Sequence, residues 1–330
     1  CGAVGDVRLL RHADRPGRRH SSRSVDPGLK VRNANLDDTA AVAEVIRASE
    51  AEQGAPIDMA AEDIRSSWQE IDPANDVLVV EDDGVLLGYV DVRPSTTDAH
   101  IDAFVHPRAQ GRDVGRLLLE GAEEIAARQV DDKLPRRATF VHGNAEAKRL
   151  LEQHGYTYVR SFFRMRAVLD APPPEPGWPE RIAVRTYVPG ADDRVMHETL
   201  TEAFADSWEP HQHTLEEFVR LMAQDEQLTP AASFIALSGD EAAGAVLSKK
   251  RYGAGWIQSL GVRRPWRRAG LGRALLLHAF RAFYDLGDRS IGLGADADSP
   301  TGAPRLYERA GMHVEVQYDT YEKRLTSTAT

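Results

Sequence analysis

Apolar residues fall in two rhythms along this chain, and the order of those rhythms occurs twice. Short continuous or alternating apolar runs predict strands, and apolar positions three and four residues apart predict helices. From the amino terminus, residues 29–32 read as a strand. A helix follows to Ser49, capped by Asn35 or Asp37, with Ala41, Val42, Val45 and Ile46 as its buried stripe. A second helix lies near 60–71. Strands at 77–80 and 85–92 are joined by a turn at 81–84, and 101–105 is a further strand. A loop at 107–113, a helix at 115–128, a strand at 137–141, a helix at 144–154 and a strand at 156–169 complete the first series.

Residues 170–179 contain five prolines, which excludes helix and sheet interior and predicts a semi-rigid linker over 170–181. Beyond it the series returns: a strand at 182–187, helices at 192–205 and 214–224, and strands at 233–237, 243–251 and 256–262. A loop, a helix to Tyr284, a strand at 290–293, a helix at 300–309 and a strand at 312–323 follow. Single residues match as well. Val105 corresponds to Val262, Gln110 to Arg267, Gly115 to Gly272, Arg116 to Arg273, Leu118 to Leu275, Glu152 to Glu308 and Gly155 to Gly311. An offset of about 157 residues means duplication of a whole domain, not a solenoid of short repeats. The expected units are 29–169 and 182–325.

Composition narrows the classes. With 42% hydrophobic and 28% charged residues over 330 positions, the chain is globular and long enough for two domains. No apolar run is long enough to cross a membrane. A net charge of −10 argues against general nucleic-acid affinity. Cys1 is the only cysteine, which argues against a disulfide scaffold or cysteine-based zinc site; no metal is expected, and a reducing cytoplasmic setting is the default. The start at cysteine is expected to reflect a cropped or altered terminus. Residues 1–28 carry Arg8, Arg11, Arg15, Arg18, Arg19 and Arg23 among Gly, Pro and Ser, which predicts a disordered basic arm.

The richest chemistry lies after the strand at 256–262. Arg263, Arg264, Arg267 and Arg268 lead to Gly270-x-Gly272, and Leu271, Leu275, Leu276 and Phe280 then form one helix face. A strand, a glycine loop and a helix N-terminus leave backbone N–H groups and a partial positive charge for an anion. Two nucleotide motifs are excluded by spacing: Gly-x-Gly-x-x-Gly, because Leu275 stands where the third glycine is due, and Gly-x-x-x-x-Gly-Lys-Ser/Thr.

The segment Arg267-Arg-Ala-Gly270-Leu-Gly272 resembles the Arg/Gln-x-x-Gly-x-Gly/Ala loop of the GCN5-related N-acetyltransferases, and the flanking strand and leucine-rich helix extend the likeness. Both series resemble that family, in a tandem arrangement. The resemblance implies an α+β (α/β) fold, each domain a mixed, mainly antiparallel sheet flanked by helices, with two central strands splaying to admit acetyl coenzyme A as co-substrate. Its implied binding residues are Leu260, Gly261, Val262, Arg267, Arg268, Ala269, Gly270, Leu271, Gly272, Arg273 and Ser299, with Ser299-Pro300 starting the last helix. In the first series Val105, Gln110, Gly111, Arg112 and Gly115 would form a residual second site, weakened because Asp113 stands where Gly270 does. The family's acid is implied at Tyr307, in Arg305-Leu-Tyr-Glu-Arg-Ala-Gly311; Leu151 stands there in the first series and has no proton to give. The carboxy-terminal domain is therefore expected to be catalytic and the amino-terminal one degenerate.

The base is open. The strand at 256–262 offers Gln258 and Ser259 and no carboxylate, so Glu202, Asp206, Glu209, His211 and His213 are the candidates; His211 and His213 lack a third ligand for a metal. Tyr252 and Trp256 are further acceptor cues. The implied reaction is acetyl transfer to a primary amine of a small molecule, by a monomer or homodimer with no nucleic-acid or membrane partner. A non-catalytic acetyl coenzyme A sensor or scaffold, and a protein or peptide N-acetyltransferase, are the alternatives.

Overall fold

Twelve strands hydrogen-bond into one sheet in a computed structural model that describes residues 26–95, 97–129, 134–208 and 213–324. The first series gives β1 (Lys30–Asn33), α1 (Thr39–Glu52), α2 (Ala61–Ser67), α3 (Pro73–Asp76), β2 (Val77–Asp82), β3 (Val85–Pro94) and β4 (Ala99–Val105). It continues with α4 (Val114–Gln129), β5 (Arg136–Val141), α5 (Ala145–Gln153) and β6 (Thr157–Val168). The second gives β7 (Ile182–Thr186), α6 (Asp193–Phe204), α7 (Leu215–Gln224), β8 (Phe234–Ser238), β9 (Glu241–Arg251) and β10 (Ala254–Val262). Then come α8 (Leu271–Asp285), β11 (Ser290–Asp296), α9 (Ala303–Arg309) and β12 (His313–Lys323). The expected basic arm, apart from residues 26–28, lies outside the described residues.

Strand side chains alternate between faces. Val79 joins Val42, Ile46, Ile64 and Trp68 under α1 and α2, while its neighbour Val80 joins Leu118 and Ile125 under α4. In the second half Ile235 packs with Met196, Leu200 and Phe218 of α6 and α7, and Phe234 with Leu275, Phe280 and Phe283 of α8. The α1 stripe is shifted from expectation: Ala41 is exposed and Ala43 buried, because the chain enters α1 through a short 3-10 turn capped by Asn35.

The strand order is β1-β2-β3-β4-β5-β12-β6-β11-β10-β9-β8-β7. Each half's last strand has crossed into the other half's territory. β12 pairs with β5 and β6, and β6 pairs with β12 and β11. Arg164, on β6 and nearly fully buried, ties this seam. Its guanidinium donates to Glu50 at 3.3 Å, to the Tyr318 hydroxyl at 2.9 Å, to Glu315 at 2.8 Å, and to the carbonyls of Ala55 and Pro56. Every one of its donor positions is therefore used, as a buried cation requires. The proline-rich linker lies against α8: Arg281 donates to the Pro173 carbonyl at 2.7 Å, and the Trp178 ring meets His278 edge-on at 5.4 Å.

Of the pairings in the sheet, β4 with β5 and β10 with β11 are parallel. Both stop early. β10 leaves β11 after Ile257, where a bulge also shifts its register against β9, and β4 leaves β5 after Ile101. Each half thus contains a pair of strands that part toward their carboxyl ends.

Candidate active site

The loop expected to hold an anion lies where β10 turns into α8. Arg268 has φ 65° and Gly270 φ 88°, so the chain turns through left-handed conformation twice before the helix. Among the described residues, nothing accepts from the backbone N–H groups of residues 268–273; the first helical bond runs from the Ala274 N–H to the Gly270 carbonyl. Arg268 and Arg273 are exposed and have no ion-pair partner among the described residues. A run of free amides with two uncommitted guanidinium groups suits a pyrophosphate.

Two glycines bring the neighbouring elements close. A Cβ at Gly261 would stand 2.7 Å from the Cβ of Ala203, so glycine lets α6 lie against β10. A Cβ at Gly272 would approach the Leu306 side chain to 3.2 Å, so glycine lets α9 lie against α8 and bring in Tyr307. Tyr307 is 8% exposed and its hydroxyl bonds to no protein group among the described residues; burial pushes its pKa up to about 12. The phenol is a weaker acid than its sequence suggested, because the surrounding core disfavours the phenolate.

Ser299 and Pro300 depart from the helix start expected of them. α9 begins at Ala303 with Pro304 in its first turn and Gly302 (φ 71°) as its cap. Ser299 and Pro300 therefore precede the helix and do not start it; the Ser299 hydroxyl instead meets Thr301 at 3.0 Å. Arg267 braces the loop: it donates to the carbonyls of Val262 (3.0 Å) and Ala203 (2.8 Å) and pairs with Asp206. Leu260, Gly261 and Val262 line the parted end of β10, with Ala269 exposed in the loop and Leu271 buried as the first helical residue.

Of the base candidates, Asp206 is bound by Arg264 and Arg267, whose hydrogen bonds hold its carboxyl below the usual range. Glu202 is bound by Arg263 at 2.5 Å. Glu209 and His211 lie outside the described residues. The backbone carbonyl of His213 lies 2.8 Å from Nε2 of His197. No cluster of metal ligands occurs among the described residues.

The first half keeps the loop's backbone. Gly111 (φ 77°) and Asp113 (φ 61°) occupy the positions of Arg268 and Gly270 and share their left-handed conformation. Its chemistry differs. Arg112 is held by Asp26 and Asp82, both at 2.7 Å. Asp113 adds a carboxylate, 3.6 Å from Arg116. Gln110 is exposed before the loop, Val105 ends β4, Gly115 faces Leu150, and buried Leu151 takes the place of Tyr307.

Sequence reasoning missed a cavity of about 390 Å³ between the halves. The carboxy-terminal half lines it with Phe218, Lys249, Arg251, Tyr252, Gln258 and Ser259, and the amino-terminal half with Met59, Tyr89, Asp91, Arg93, Asp102 and Phe104. Tyr252 stands edge-on to Trp256 at 5.2 Å. The cavity therefore reaches the β10 bulge on the α6–α7 side. The signal was present: Asp91 and Asp102 are acids inside apolar strand runs, an arrangement that a plain core does not use.

The Acetyltransferase (GNAT) family profile matches this chain twice, over residues 42–156 and 195–312. A mycothiol acetyltransferase of Geodermatophilus obscurus is 33% identical over 299 residues, covering 86% of this chain and 94% of that relative. One of Kineococcus radiotolerans is 34% identical over 73% of this chain and 80% of its own length. Among solved structures, a GCN5-related N-acetyltransferase from Sphaerobacter thermophilus is similar at TM-score 0.79 and 34% identity, covering 91% of this chain and 96% of that one. A tandem GNAT protein from the clavulanic acid biosynthesis pathway shares the fold at TM-score 0.66 and 17% identity, over 91% of this chain and 100% of that one.

Proposed function

This chain belongs to the acetyltransferase (GNAT) family, and on that premise we propose that its carboxy-terminal half, 182–325, transfers acetyl from acetyl coenzyme A to a primary amine of a small molecule. The unit at 29–169 gives structural support without its own catalysis, and 170–181 joins the two. The observation that carries this reading is the run of unpartnered amides at 268–273 beside the parted strands β10 and β11, with Tyr307 brought close through Gly272. Acetyl coenzyme A supplies the activated thioester.

The chain's part is to hold and orient. Amides 268–273, with Arg268 and Arg273, take the pyrophosphate. The edge of β10 freed from β11 receives the pantetheine arm, and its N–H groups polarise the acetyl carbonyl. The amine approaches from the cavity between the halves. It loses one proton to solvent, its lone pair attacks the carbonyl carbon, the C–N bond forms and the C–S bond breaks. The second proton lost from nitrogen balances the one that Tyr307 gives to the departing thiolate. Dry surroundings raise a thiol's pKa as they raise a phenol's, which keeps donor and leaving group matched. No base is assigned, since the arginine pairs of Glu202 and Asp206 leave both poorly suited.

Acetyl transfer to a panel of primary amines, with release of free thiol as the readout, tests the reading. The name of the relatives puts the unacetylated amine of mycothiol on that panel. Calorimetry should find acetyl coenzyme A bound once, in a manner abolished by changes at 268–273. Binding confined to the amino-terminal loop would refute the assignment.

A further inference from the structure

The cavity shared by the two halves is acidic in an unbalanced way. Five carboxylates line the cavity, those of Asp63, Glu70, Asp91, Asp102 and Asp225, against three cationic side chains, Arg93, Lys249 and Arg251. Three of the acids lie outside the sheet. Asp63 accepts from the Ala60 N–H at 2.8 Å and from Gln227 at 2.7 Å. Asp225 accepts from the Gln227 N–H at 3.0 Å and pairs with Lys249 at 3.5 Å. Glu70 stands 3.9 Å from Arg93.

The other two face each other. Asp91 on β3 and Asp102 on β4 are direct cross-strand partners. Residues so placed share a face with their Cβ atoms about 5 Å apart, and like charges there repel. Asp91 is 3% exposed. Its Oδ2 accepts from the Tyr89 hydroxyl and, at 2.9 Å, from Arg93, while its Oδ1 is buried without any hydrogen-bond partner. Asp102 keeps about a third of its side chain exposed (35%), with His100 Nε2 at 3.3 Å from its Oδ1. The unpaired Oδ1, buried opposite a second carboxylate on a cavity wall, is costly unless a ligand supplies a donor, and Arg93, shared with Glu70, offsets only part of the negative charge there.

We propose that the acceptor is a diamine, whose reacting amine lies by Gln258 and Ser259 while its second ammonium is held between Asp91 and Asp102 of the other half. This rests on the reading that acetyl transfer takes place at the β10 cradle. The amino-terminal half then selects the substrate although it carries no acid of its own at Leu151. Arg93 and Tyr89 act as positioning residues, fixing Oδ2 so that Oδ1 remains for the ligand.

The test uses the full chain at saturating acetyl coenzyme A. The readout is the ratio of kcat/KM for 1,5-diaminopentane and 1,8-diaminooctane to that for monoamines of equal length. A charged hydrogen bond gained by the second ammonium predicts a ratio of about tenfold to a hundredfold for the better-fitting diamine. Asp91→Asn and Asp102→Asn should bring it close to unity. A purely structural role would depress diamine and monoamine together and leave the ratio standing, which would overturn the proposal, as would equal use of both classes by the unaltered protein. Should Asp91→Asn fail to fold, Asp102→Asn, at the more exposed side chain, decides alone. Calorimetry with acetyl coenzyme A runs in parallel: failure of that binding refutes the cradle reading, whereas normal binding with an unselective ratio refutes only the diamine subsite.

Discussion

Replacing Gly270 by aspartate puts the cradle to a sharp test, because the molecule contains its own control. Gly270 sits at φ 88°, and a Cβ added there would meet nothing within 4 Å, so no steric clash arises. The backbone cost of an L-residue there is about 1–2 kcal/mol. Asp113 occupies the matching position of the first half at φ 61° and the loop keeps its shape, which shows that aspartate is compatible with this turn. What changes is charge. A carboxylate ~5 Å from a phosphate charge is opposed by about 3 kcal/mol at an effective dielectric of roughly 20. The loop is exposed, so solvent and salt reduce this to about 1–3 kcal/mol. Affinity for acetyl coenzyme A should fall by about fivefold to 150-fold. Gly270→Asn carries the same backbone strain without the charge. Calorimetry on both variants, with thermal melts to confirm folding, separates the two contributions. Equal affinity of the Asp and Asn variants, or unchanged affinity in both, would refute the cradle.

Further outcomes are expected at two residues, Tyr307 and Arg164. Tyr307→Phe should lower kcat while leaving the dissociation constant of acetyl coenzyme A unchanged, as measured by stopped-flow turnover and calorimetry. Tyr307 also marks a pH window: its folded pKa of about 12 stands above the ordinary value of 10.0, so the folded state holds the proton more tightly. The associated stability is fully present below the ordinary value and is lost as pH rises toward the folded one; Tyr307→Phe should flatten that decline in melting temperature. At the seam, Arg164→Met leaves Glu50, whose carboxyl burial already pushes up, without its cation, and should cost about 3–5 kcal/mol in urea denaturation. Adding Glu50→Gln should restore part of that loss; no recovery would mean that the Ala55 and Pro56 carbonyls dominate.

Much of this architecture was legible from pattern. The strands around 77–94, the helix at 114–129 and the Leu271, Leu275, Leu276 and Phe280 face follow directly from apolar spacing. The loop at 268–273 was legible because glycine spacing and helix onset are local matters. What escaped was nonlocal. No periodicity reports that β12 lies beside β5, since alternation fixes a strand's faces and not its neighbours. The start of α9 was misplaced because Ser299-Pro300 imitates a capped helix start, whereas the left-handed turn at Gly302 delays the helix to Ala303. Glu202 and Asp206 were candidate bases by sequence position, but the arginines of the next loop fold onto them. Asp91 and Asp102 were overlooked because site residues were sought within one half, and the cavity takes its walls from both.

The crossing of β6 and β12 has a bearing on how this protein can be dissected. Cleaving the chain at its proline-rich segment and expressing the pieces separately would leave β5 with a raw edge on one fragment and β11 with a raw edge on the other. Such unpaired edges recruit stray strands. Fragments should therefore aggregate alone and regain solubility when co-expressed. The amino-terminal half is then indispensable to the other, which borrows a strand from it.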